Sequence, residues 1–134
     1  AILAGEGDLA VINTYYLGLL LNSADSQEAQ AGEAVQIFWP NQEDRGAHIN
    51  VSGVGLTVNS PNAENAIALI EYMISQEVQE LYASANYEYP ANPNAEVSDQ
   101  LKSWGEFKED ELPLARLGEL NDEAVIIFDE VGWP

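Results

Sequence analysis

The chain of 134 residues carries 23 Asp and Glu against 4 Lys and Arg, a formal net charge of -19, and a surface of that sign repels nucleic acid and anionic membranes. With no Cys it has no disulfide framework, thiolate nucleophile or zinc-finger site, and its one histidine, His48, cannot form a His cluster or a Ser-His-Asp triad alone. A hydrophobic fraction of 46% marks a globular chain with room for one modest core, and no apolar run approaches the roughly 18–20 residues that span a membrane.

The acidic excess predicts a fold that depends on salt, because self-repulsion weakens as screening grows, and adaptation to a salty environment is the expected reason. No basic segment followed by an apolar stretch is found, and the chain opens on Ala1, which suits a processed, cleaved or engineered start alike.

In chain order, Asp8 to Ile12 (DLAVI) reads as a short buried strand entered through Gly5-Glu6-Gly7. Asn13-Thr14 offers a helix N-cap before the apolar stretch Tyr15 to Leu21. The polar segment Asn22 to Glu33 reads as a loop or a surface turn of helix, and Val35 to Trp39 as a second strand stopped by Pro40-Asn41. Extended segments are expected at His48 to Val51 and Val54 to Val58. A helix capped by Ser60, with Pro61 in its first turn, should bury Ala66, Ile67, Ile70, Met73 and Ile74 as one stripe. Ser75 caps the next helix, which has Val78, Leu81, Tyr82 and Ala85 inward. A Pro/Asn loop, Tyr87 to Asn94, leads to a short helix near Val97 to Ser103 and an irregular run to Gly118. The last helix starts at Asn121, buries Ala124, Ile127, Phe128 and Val131, and stops at Gly132. Alternating strands and helices argue for an α/β class.

Several strings, in order, resemble the periplasmic iron(III)-binding proteins of ABC-type ferric importers. They are Gly7 to Gly18 (GDLAVINTYYLG), Pro40-Asn41-Gln42, His48 to Gly53 (HINVSG), Asn86 to Pro90, Trp104 to Lys108 and Phe128 to Trp133. The resemblance covers essentially the whole chain and implies the C-terminal part of a protein about twice as long or more, with two lobes closing on a hinge. It implies a type II periplasmic-binding-protein fold with a mixed sheet and flanking helices, incomplete here. Residues 1–47 and 104–134 would belong to the tyrosine-bearing lobe and 53–103 to the other, with 48–52 crossing between them.

In that family adjacent tyrosines give phenolate oxygens to iron(III), and Tyr15-Tyr16 match that pair. The chemistry agrees: a hard trivalent ion prefers anionic oxygen donors, and a cation can remove a phenol proton at neutral pH. A helix start favours negative charge. Neighbouring residues diverge by about 100° on a helix, so convergence is expected at the strand-to-helix junction. Without the flanking matches, a Tyr-Tyr pair at a helix start is ordinarily one core ring and one surface ring.

Asn13 matches a position that in some relatives contacts a synergistic anion, while helix capping is a sufficient reason for an Asn there. The remaining iron ligands would lie in sequence this chain lacks. His48 matches no ligand position, and Tyr87 and Tyr89 look like packing residues. The implied partners are iron(III) and a membrane ABC permease, the implied location is periplasmic, and unpaired sheet edges predict a dimer or strand-exchanged oligomer.

A second reading is an acidic, salt-adapted solute-binding fragment whose ligand is organic or another metal, or which only scavenges cations: acidic runs such as Glu43-Asp44 and Glu109-Asp110-Glu111 could hold Ca²⁺ or Mg²⁺ loosely, although solvated charged faces account for them. An enzyme is not expected, since no phosphate loop, nucleophile elbow or metalloprotease motif occurs.

Overall fold

The computed structural model describes residues 1–133. Among them it forms seven helices: α1 (Thr14–Leu21), α2 (Ser26–Glu33), α3 (Ala63–Met73), α4 (Gln76–Ala85), α5 (Asp99–Lys102), α6 (Leu114–Glu119) and α7 (Asn121–Val131). Local chemistry sets most of their ends. The Asp25 carboxylate accepts from the Gln27 N–H at 2.7 Å, Ser75 Oγ from the Val78 N–H and Ser98 Oγ from the Leu101 N–H, both at 3.4 Å. Gly132 closes α7 in the left-handed conformation at φ 66.

Two expectations about helices shift. Asn22 to Glu33 is a true helix over most of its length, because Asp25 supplies the cap. The helix expected from Ser60 starts at Ala63 instead, after a turn closed by the Ser60 N–H on the Thr57 carbonyl at 3.1 Å.

The expected mixed sheet is absent among the described residues. Its only trace is an isolated parallel bridge between Ala47 and Glu109. The four apolar segments form no strand ladder among the described residues, and much of their apolar surface is open, with Leu9 87% exposed, Val11 88% and Phe38 80%, while Val35, Ile37, Trp39 and Ile49 are half-buried. The expectation fails because a strand exists only through a ladder with a partner. Within these 133 residues none of the four segments lies beside a pairing strand.

The chain divides into two compact units: Ala1–Phe38 with Asn50–Glu106, and Trp39–Ile49 with the chain from Phe107 onward. In the first unit α1 packs on α2, α4 touches α3 and α5, and Leu17, Val78, Ala83 and Leu101 are buried. The expected stripe on α3 is only partly covered, since Ala66, Ile70 and Met73 are half-buried while Ile67 and Ile74 are exposed. The second unit is held by Trp39 stacked on Phe107 with centroids 4.0 Å apart. The Arg45–Asp110 ion pair at 3.4 Å and the Gln42 side chain, which accepts from the Lys108 N–H at 2.7 Å, add to it. Here α7 does not bury its expected face: Ile127, Phe128 and Val131 are exposed.

Candidate functional site

The tyrosine pair lies in the first turn of α1, inside the first compact unit. Tyr15 is half-buried and Tyr16 exposed, yet the rings do not part as neighbours on a helix should: their centroids are 4.3 Å apart, tilted by 38°. Side chains at a helix start lean toward the N-terminus, and these two long rings use that lean to meet. Convergence therefore occurs within the helix, not at the junction before it.

The Tyr16 phenol is held above its ordinary range. The main cause is its side-chain hydrogen bond with Tyr15, followed by repulsion from a Tyr15 phenolate and slight desolvation. Two phenolates side by side are costly unless a cation joins them. A trivalent ion between them would reverse the sign of that interaction.

Asn13 holds the N-cap position of α1 with extended backbone (φ -71, ψ 141), but its side chain makes no capping hydrogen bond, contrary to the capping expectation. Its Oδ1 instead accepts from Asn50 Nδ2 at 3.4 Å. Asn50 had no functional reading in the sequence. Its only signal was membership of the HINVSG string, and a partner 37 residues away leaves no local mark. His48 is exposed and belongs to the other unit. Among the described residues no cluster of three or more His, Cys, Asp or Glu could hold a metal, so the acidic runs form no cage.

The family model for bacterial extracellular solute-binding proteins matches residues 1–109. The chain belongs to that family. Members are carriers of solutes, so this chain is not an enzyme. It is 44% identical to Iron uptake protein A1 of Synechocystis sp. over 133 residues, covering 99% of this chain and 37% of that protein. Its backbone matches a ferric binding protein from Campylobacter jejuni with a TM-score of 0.92 at 44% identity, over 98% of this chain and 42% of the other. It matches the Trichodesmium protein IdiA/FutA, solved in complex with iron and citrate ligands, with a TM-score of 0.93 at 39% identity, over 100% of this chain and 42% of the other.

This solute-binding chain thus spans about two-fifths of the length of its relatives and forms part of a type II periplasmic-binding-protein fold. The similarity concerns iron carriage outside the cytoplasm and lends no support to salt adaptation.

Proposed function

We propose that this chain carries the phenolate share of an iron(III) site in an extracytoplasmic solute-binding protein that delivers the ion to an ABC permease. One observation carries the reading: the Tyr15 and Tyr16 rings lie with centroids 4.3 Å apart in the first turn of α1, where the helix favours negative charge. Iron-binding relatives with the same backbone supply the identity of the ion. On this reading residues 48–52 form the crossing segment between lobes, Asn13 faces the anion side of the site, and other ligands come from sequence outside these residues.

Ferric nitrilotriacetate titrated into the chain near pH 7 should produce a visible phenolate-to-iron band and release protons, since a phenol must ionise to ligate the metal. The Tyr15→Phe/Tyr16→Phe double variant should show neither. A band that survives in the double variant, or no band in the parent chain, rejects ligation by this pair.

The dimer or strand-exchanged oligomer belongs to the same proposal. The exposed apolar segments 8–12 and 54–58 are where a second copy would supply the missing pairing. Sedimentation equilibrium should report a mass above the 14.6 kDa of one chain, and a monomer throughout would refute it.

A further inference from the structure

The helix that carries the tyrosine pair has no charged residue of its own (TYYLGLLL), so its neighbours set the charge around the pair. α2 packs along α1 and brings Glu28 and Glu33, with Asp25 at its cap and no basic residue. Tyr87, whose ring lies against Gly18 of α1, is followed by Glu88. At the other end of α1, Asn22 Nδ2 donates to Gln100 Oε1 of α5 at 3.3 Å. That helix holds Lys102, the single Lys or Arg in residues 1–38 and 50–106, and Asp99 pairs with it at 3.7 Å. Segment 50–52, which reaches Asn13 through Asn50, adds no charge. Each of these neighbours is acidic, neutral or self-compensated.

We propose that this surround selects the form in which iron reaches the tyrosines, admitting ferric complexes of neutral or positive net charge and turning away multiply anionic chelates. The physical cause is the summed field of the carboxylates, which raises the local concentration of cations and lowers that of anions. It reaches about 10 Å at 0.1 M salt and fades as salt rises. The field acts on the net charge of the arriving complex, so an anion that travels with iron in a neutral or cationic complex is not opposed. The consequence for iron rests on the phenolate reading, while the field itself is measured without iron.

The test uses the whole chain with two nitroxide probes of similar size, one cationic and one anionic, at low and high salt. Their broadening of the ring signals of Tyr16, which is exposed, reports the concentration of each beside the pair; Tyr16→Phe assigns the signals. The cationic probe should broaden them several-fold more at low salt, and the two should converge as salt rises. Glu28→Lys/Glu33→Lys on α2 should remove most of that difference. Glu64→Lys/Glu71→Lys makes the same change in net charge on α3, which packs on α4, and should remove less of it. Iron is then offered as ferric nitrilotriacetate, which carries little net charge, and as ferric dicitrate, which carries several negative charges. Raising salt should speed formation of the ferric band from dicitrate by about tenfold and leave that from nitrilotriacetate nearly unchanged.

Equal broadening by the two probes at low salt overturns the inference, and so does an α3 pair that matches the α2 pair. A dicitrate rate that is flat or falls with salt overturns it as well. All four substituted positions are exposed, so the fold should tolerate them; if circular dichroism shows otherwise, Glu28→Gln/Glu33→Gln and Glu64→Gln/Glu71→Gln are held to the same criteria. If the parent chain forms no ferric band, the phenolate reading fails, and the nitroxide comparison alone decides whether the surround excludes anions.

Discussion

Gly46→Ala is expected to destabilise the second compact unit by about 3 kcal/mol, from a backbone conformation that disfavours side chains and an added methyl with no space. Gly46 sits at φ 98, where an L side chain is strained in any surroundings. A Cβ there would also lie 2.6 Å from the Glu109 carbonyl oxygen and 2.7 Å from that of Lys108. Those atoms are backbone and cannot swing aside. They belong to the same crossing as the Ala47 N–H to Lys108 carbonyl bond and the Asp110 N–H to Ala47 carbonyl bond, both 2.8 Å, so relief of the clash breaks the bridge. The stack of Trp39 on Phe107 should report the loss as a weakened near-ultraviolet circular dichroism signal. Urea unfolding that shows Gly46→Ala within about 0.5 kcal/mol of the parent would contradict the argument.

Gly18→Ala is the second large effect, and two physical terms oppose each other there. Helix propensity favours alanine over glycine by about 1 kcal/mol inside a helix. The buried side of α1 decides against it: an added Cβ would meet Tyr87 Cγ at 2.3 Å and Tyr87 Cβ at 2.5 Å. Tyr87 has little freedom to withdraw, since it already holds φ 59, a conformation few non-glycine residues adopt. The steric term should win, for a net loss of about 2 kcal/mol. Because the displaced helix is the one that starts at Tyr15 and Tyr16, the ferric band should weaken as well. Tyr87→Ala in the same chain should relieve most of the clash. Gly53→Ala, where nothing lies within 4 Å and φ is ordinary, is the matched control and should be nearly neutral. A Gly18→Ala variant more stable than the parent would mean that propensity governs and that Tyr87 does not clamp α1.

Both sites concern contacts between segments far apart in sequence, and neither glycine was singled out from the sequence. The tyrosine pair was, for a different reason. It was singled out through the resemblance of the string around it, and phenols are the kind of anionic oxygen donor that the proposed iron(III) site would want. What could not be read was how neighbours on a helix bring their rings together. Nor could it be read that the Asn13 side chain, in every local respect suited to capping, makes no capping bond and meets Asn50 instead.

The sequence by itself determined several of the helices, because the forces that start and stop them act within a few residues: Ser75 caps α4 and Gly132 ends α7, whereas α2 was read as a loop or a surface turn of helix and α6 fell largely in a run read as irregular. It also marked four short apolar runs between turn residues as candidates for strands. Only the tertiary structure decided whether those segments become a sheet, for a ladder needs a second strand in place, and among the described residues none stands beside DLAVI, VQIFW, HINV or VGLTV. The same reason leaves the apolar residues of α3 and α7 only partly covered. Helical periodicity selects the face a helix must hide, while the surface that hides it comes from elsewhere in the fold.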